Sequence, residues 1–447
     1  MTRPLRTLFA EAHAADIALH SIQISVGGRT IVREDIAPFG LQAPHRLYSV
    51  SKSFTGLAVL LLVEEGLLAL DDGIMTYFPE QAPVHPWLEQ TRIDDMLAMT
   101  GPYSRTTYVE ASDSWFESYF QVPPTQRPGT LFTYDTSASY VLAALVERVA
   151  GMPMLDYLRP RLLDPLGIGA GAHFLPGPEG ISHGGSGLIM APADLLPIAE
   201  VLNGGGCRGS RRILPERVVA RLLEPRSSPA MQTWGAPLRA GYGRQMWLPG
   251  GDSWMMFGLG GQIVYGDPAR QLAAVVTADT TTLTGGDQRL VEMLLRAVDE
   301  LGQDAQRDDG PAADSAIGIA PPTPPHDPQY AVPVRADAVL ITGEGAPGAI
   351  VVEVGADGGR VHWEDAHELV FATMRPTTVP TALGDAVVTA GWTAPGVLHV
   401  RLSAVGDDIA SVRLRLVVSG DGILTLMSQG FGPRTRDSWT FRGSYQG

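Results

Sequence analysis

Ser49 and Lys52 stand three residues apart in Tyr48-Ser49-Val50-Ser51-Lys52-Ser53-Phe54, and Lys52 is the only lysine among the 33 Lys+Arg positions of the chain. Lysine and arginine serve equally as solvated positive charges, so arginine everywhere else implies a task at position 52 that a guanidinium cannot perform. Releasing a proton is such a task. An ammonium pushed toward the neutral amine by burial or a neighbouring cation becomes a base, whereas a guanidinium stays charged. On a helix, positions i and i+3 share a face, so the amine can reach back to the Ser49 hydroxyl. The helix N-terminus would add a positive field that lowers the ammonium pKa and favours a developing oxyanion. The pair reads as nucleophile and activator; the alternative is an arginine-biased composition that leaves one lysine on an exposed helix.

The elements that must position this pair follow from periodicity. Residues 21–26 and 29–33 flank Gly27-Gly28, a two-residue hairpin signal. Residues 53–65 form an apolar helix ended by Gly66, whose lack of a polar face implies burial, and Ser49 falls at its N-terminal end. From about residue 92 to 201 the pattern is helical, with helices expected over 138–149, 155–163 and 192–203. Extended segments return at 242–248, 254–257, 262–265 and 272–278, before a last helix over 288–301. Strands from both ends thus enclose a helical middle, giving one α+β domain over residues 1–303 with a sheet discontinuous in sequence. Residues 304–334 are a Pro/Asp/Ala-rich linker centred on Pro321-Pro322-Thr323-Pro324-Pro325. Beyond it the period switches to two, and residues 335–447 are expected to form an all-β antiparallel barrel or sandwich of about eight strands.

Five further stretches accompany the Ser-x-x-Lys tetrad in order: Leu67-Leu68-Ala69-Leu70-Asp71-Asp72, Pro128-Gly129-Thr130-Leu131-Phe132-Thr133-Tyr134, Leu142-Ala143-Ala144-Leu145-Val146-Glu147, Leu163-Asp164-Pro165-Leu166-Gly167 and Gly187-Leu188-Ile189-Met190-Ala191-Pro192-Ala193-Asp194. With them, residues 10–300 resemble the serine β-lactamase and penicillin-binding-protein superfamily, particularly its class C-related, esterase-like members. The resemblance implies an antiparallel sheet flanked by helices plus a helical subdomain. It also implies Ser49 as acylated nucleophile, Lys52 as its base and Tyr134 as second proton-transfer group, the phenol kept acidic by Lys52. Thr136 stands where relatives carry an asparagine that contacts substrate, and a hydroxyl there supplies a weaker contact. The ordinary reading of Tyr134 is a buried tyrosine opening a helix capped by Thr136. The third family motif falls on Met256-Phe257-Gly258, before Gly260-Gly261-Gln262, where a thioether replaces the usual cation and substrates neutral at that position are expected. The backbone N–H groups of Ser49 and Leu259 would form the oxyanion hole. Residues 335–447 resemble, more loosely, the lipocalin-like modules of some relatives.

His183 and Trp115 are candidate substrate contacts, and Tyr103, Tyr108 and Trp234 candidate cleft residues, although aromatic side chains are more often core or rim. The ten histidines show no metal-ligand spacing, and the single Cys207 excludes an intramolecular disulfide. No metal or cofactor is implied. A net charge of −15 with scattered arginines argues against nucleic acid. The start of the chain has no signal-peptide pattern and no apolar run reaches membrane length, so a cytoplasmic, non-membrane protein is expected. The expected function is hydrolysis of an ester or amide of a small non-β-lactam substrate through an acyl-enzyme. The acyl donor would be a small molecule or peptide. Transfer to an amine or alcohol acceptor, including peptide cyclisation, is the alternative, and a catalytically silent ligand-binding homologue is the second.

Overall fold

The computed structural model describes residues 3–109, 114–305, 319–363, 367–406, 408–435 and 437–447. It opens with helix α1 (Arg3–Ala14), whose Leu5, Leu8 and Ala12 recur on one buried face. Strands β1 (Ala18–Val26) and β2 (Arg29–Asp35) form the expected hairpin, pairing Val26 with Arg29. Helix α2 (Val50–Glu64) follows and buries every residue from Val50 to Leu62, which explains its lack of a polar face. The helical middle includes α3 (Thr136–Ala150) and α4 (Pro192–Asn203). Strands β3 (Trp247–Gly250), β4 (Ser253–Gly258), β5 (Gln262–Asp267) and β6 (Leu272–Asp279) then lead to helix α5 (Gly286–Ala305).

The sheet order is β2-β1-β6-β5-β4-β3, so the first hairpin joins the late strands through β1 against β6. Period-two alternation gives the sheet two apolar faces. Ile22, Met255, Ile263 and Val276 pack against α1 and α5, whereas Met256, Val264 and Val275 pack against the helical body of α2, α3 and α4. Only residues 247–250 of the expected extended segment 242–248 and its sequel are strand, because Tyr242 and Trp247 meet through an isolated bridge at a bend. Among the described residues, no single helix is long and apolar enough to cross a membrane.

The C-terminal sheet has ten strands rather than about eight: β7 (Val334–Glu344), β8 (Ala349–Val354), β9 (Gly358–Trp363), β10 (His367–Ala372), β11 (Thr377–Thr381), β12 (Gly384–Ala394), β13 (Val397–Val405), β14 (Ile409–Val418), β15 (Ile423–Phe431) and β16 (Phe441–Gln446). Two of these are weak in sequence: β7 breaks its alternation with the run Val339-Leu340-Ile341 and buries little, and β11 contains Pro380, which the end strand of a sheet tolerates. The order β10-β9-β8-β7-β16-β15-β14-β13-β12-β11 puts two consecutive strands at the two ends. They are joined where the Ala372 N–H donates to Thr377 Oγ1 at 3.1 Å, so the barrel is nearly closed. Trp363, Trp392, Leu398, Val400, Phe441 and Tyr445 fill its inside. The proline-rich stretch lies along β12: Thr389 Oγ1 donates to Pro322 O at 2.8 Å and the Asp327 N–H to Trp392 O at 3.0 Å. Barrel and six-stranded sheet are pinned together by Asp16, which pairs with both Arg401 and Arg413, and by Ser411 Oγ donating to Asp279 Oδ2 at 2.6 Å.

Candidate active site

Ser49 occupies the N-terminal boundary of α2 with helical backbone angles, and its side chain caps nothing, so its hydroxyl is left for other partners. One turn on, Lys52 Nζ lies 3.1 Å from Ser49 Oγ and donates to Gly185 O at 2.6 Å. The lysine is 1% exposed. Burial pulls its pKa down to about 7 against the opposing pull of Asp135, so the amine holds its proton weakly near neutral pH. Gly185 must be glycine for this contact: a Cβ there would sit 2.4 Å from Thr136 Cγ2.

Tyr134 stands beside the pair. Its ring centre is 4.8 Å from Lys52 Nζ, and its hydroxyl lies near the side chains of Ser49 and Trp247. The expectation that Lys52 keeps this phenol acidic is corrected. Burial drives the phenol pKa upward, and the ammonium faces the ring. Tyr134 therefore keeps its proton and suits the role of donor. The expected cap is corrected as well. Asp135, not Thr136, caps α3, accepting from the Ser137 N–H at 2.8 Å and the Ala138 N–H at 3.3 Å, while Thr136 is the first helical residue. Asp135 is buried and its pKa is raised to about 6 by that burial.

Strand β4 runs past Ser49 so closely that a Cβ on Gly258 would be 2.2 Å from Leu47 O and 3.2 Å from Ser49 N. At its end, Leu259 faces the same cavity as Ser49. Among the described residues, neither the Ser49 nor the Leu259 N–H is taken by a backbone carbonyl. Gln262 Nε2 donates to Leu259 O and the Gly261 N–H donates to Gly258 O, each at 3.3 Å, which fixes the turn.

The cavity over Ser49 holds about 250 Å³ and is lined by Tyr134, Trp234, Leu238, Trp247, Phe257 and Leu259, with Asp287 and Gln288 at one side. Of the expected substrate contacts, Phe257 lines it; Thr136, Met256, Gly258, His183 and Trp115 do not. Strand alternation explains Met256, which is 3% exposed in the core under α2. His183 is buried behind the Gly185 loop, 5.0 Å between ring centres from Trp115, which itself stacks on Tyr108 at 4.4 Å. Burial lowers the His183 pKa to about 3. Tyr103 is buried away from the cavity, donating to Val122 O at 3.1 Å, whereas Trp234 lines the cavity as expected. The sequence reading missed Trp247, Leu238, Asp287, Gln288, Asp135 and the Gly185 carbonyl. An aspartate two residues before Ser137 at a helix start was a legible capping signal. The others carry no local mark.

The beta-lactamase family model matches residues 6–297. The chain belongs to the beta-lactamase family. A 6-aminohexanoate-dimer hydrolase of Paenarthrobacter ureafaciens is 27% identical over 255 residues, covering 52% of this chain and 65% of that protein. An uncharacterized protein of Mycobacterium tuberculosis is 29% identical over 150 residues, and the match spans only 37% of its length and 28% of this chain. Among solved structures, EstCE1, a hydrolase with promiscuous acyltransferase activity, superposes with a TM-score of 0.53 at 18% identity over 65% of this chain and 97% of its own. The octameric penicillin-binding protein homologue from Pyrococcus abyssi covers 99% of both chains with a TM-score of 0.51 at 14% identity, so the fold likeness extends through the barrel.

Proposed function

We propose that this chain is a serine-dependent acyl-enzyme hydrolase acting on an ester or amide of a small, uncharged, non-β-lactam substrate. The observation that carries the reading is the buried Lys52 amine, 3.1 Å from Ser49 Oγ and with a pKa of about 7. Neutral Lys52 takes the hydroxyl proton as Oγ attacks the acyl carbonyl, and the Ser49 and Leu259 N–H groups hold the oxyanion. Tyr134 gives its proton to the departing alkoxide or amine and regains one from the Lys52 ammonium, which leaves the acyl group on Ser49 and the amine neutral. Water, activated by the same amine, then releases the acid.

The wall formed by Trp234, Leu238, Trp247 and Phe257 suits an apolar acyl or leaving group, and among the described residues no cation lines the cavity to grip a carboxylate. Transfer to a bound amine or alcohol is the second reading, favoured by the apolar wall, which offers water few partners. We further propose that the protein acts in the cytoplasm and takes small-molecule or peptide acyl donors. Incubation with a fluorophosphonate and with p-nitrophenyl esters, followed by intact mass, tests the main reading: one adduct on Ser49 and ester turnover are expected. No adduct and no turnover would mark a silent binding homologue, while product that forms only with added amine or alcohol would mark a transacylase.

A further inference from the structure

Tyr48, the residue before the nucleophile, has φ +48°, a left-handed backbone that aromatic residues seldom adopt. Such a conformation persists only when its surroundings over-determine it. Here the surroundings come from the barrel. The Tyr48 hydroxyl donates to Asp408 Oδ1 at 3.0 Å and accepts from the Ile409 N–H at 2.8 Å. The same Asp408 oxygen accepts from Arg46 Nη1 at 2.5 Å. Arg46 Nε also donates to Ser186 O at 2.7 Å, beside the Gly185 carbonyl that holds Lys52. Ile409 Cδ1 lies 2.0 Å from where a Cβ on Gly260 would stand, so the side chain presses directly on the turn that carries Leu259. Two consecutive barrel residues thus touch Tyr48 and the Gly260 turn directly, and reach the Gly185-Ser186 segment through Arg46.

We propose that Asp408 and Ile409 are positioning residues for acyl transfer, clamping Tyr48 and Gly260 so that the Ser49 and Leu259 N–H groups converge on one oxyanion. The inference rests on the acyl-transfer reading above. If Tyr48 relaxed toward an ordinary φ, the following peptide plane would turn and the Ser49 N–H would swing away from the carbonyl oxygen. The barrel is held down independently by Asp16 with Arg401 and Arg413 and by Asp279 with Ser411. Removing one hydroxyl from the corner therefore tests the clamp rather than the docking of the barrel.

The experiment compares wild type with Tyr48→Phe, Asp408→Ala and Asp408→Asn. Fluorophosphonate titration read by intact mass counts competent sites, and p-nitrophenyl ester kinetics are then expressed per competent site. Tyr48→Phe and Asp408→Ala are expected to lower kcat per site by ~10- to 100-fold with KM little changed, as when an oxyanion donor is misplaced. Asp408→Asn, which keeps an acceptor for the Tyr48 hydroxyl, should recover part of the loss. Should Asp408→Ala fail to fold, Tyr48→Phe, which keeps the ring, decides alone. Wild-type kcat per site in Tyr48→Phe overturns the clamp. A loss confined to melting temperature or to the number of competent sites assigns the corner a merely structural role and overturns it too. A wild type that takes no adduct sinks the acyl-transfer reading together with the clamp, whereas a labelled wild type with unchanged variants sinks the clamp alone.

Discussion

Around Ser49 the beta-lactamase domain buries Lys52, Asp135, His183, Gln245 and Gln262, whereas the barrel packs its interior with Trp363, Trp392, Leu398, Val400 and Phe441. The barrel gains stability from every side chain it hides, about 1.5–3 kcal/mol for a large apolar one. The site does the opposite. It desolvates an amine and a carboxyl, drawing the Lys52 pKa down to about 7 and the Asp135 pKa up to about 6. Burial that would be a liability in a scaffold is what brings an ammonium into the working range of a base. The contrast predicts that substitutions at the site trade activity for stability, while substitutions in the barrel interior cost stability alone.

The largest effect is expected for Ser49→Ala, which should lose the covalent adduct and lower turnover by ~10⁴-fold or more in ester kinetics. Lys52→Met should lower kcat by ~10³-fold and, unlike most core substitutions, raise the melting temperature at pH 7. The sign follows from linkage. The folded pKa of Lys52 lies near 7, below the usual 10.5, so the folded protein binds fewer protons than the unfolded chain across that window. Wild-type stability from this group therefore rises between about pH 7 and pH 10.5, and the advantage of Lys52→Met should shrink over the same range in calorimetry. Lys52→Arg, which keeps the charge but cannot give up the proton, should be as inactive as Lys52→Met; intact turnover in it would break the contrast at its centre.

The same pKa sets the kinetic profile. In the wild type, kcat/KM should climb with pH up to about 7, as Lys52 becomes neutral, and then level off. Tyr134→Phe should cost ~10²-fold in kcat and leave that ascending limb in place, since it removes the donor and not the base. In the barrel, Trp363→Ala should lower stability by ~3–5 kcal/mol in denaturant melts while turnover per competent site is unchanged. Smallest of all, Arg360→Ala, at an outward-facing pair with Glu353 at 3.0 Å, should leave the denaturant midpoint essentially unchanged, because solvent screens an exposed pair.

Particular residues show where sequence reading stopped. Helix α1 lies outside the elements expected from periodicity, although Leu5, Leu8 and Ala12 carry helical spacing. The distance back from Gly260 points Met256 to the cleft, yet strand alternation alone turns either Met256 or Phe257 inward, and only the packing of α2 chooses which. Trp115 and His183, expected as substrate contacts, lie outside the cavity lining and form an aromatic cluster of their own with Tyr108 and Tyr140.

By itself the sequence determined the local chemistry: a serine and a lone lysine on one helix face, a hairpin at Gly27-Gly28, a tyrosine before a helix, and alternating strands after the prolines. Each of these is written within a few residues, because helix and strand periods relate near neighbours. The tertiary structure decided what those residues become. It closed the water away from Lys52, turned Met256 into the core, and brought Asp408 to Tyr48 across 360 positions of chain. Desolvation and long-range contact arise from the packing of whole layers against one another, and no window of sequence holds them.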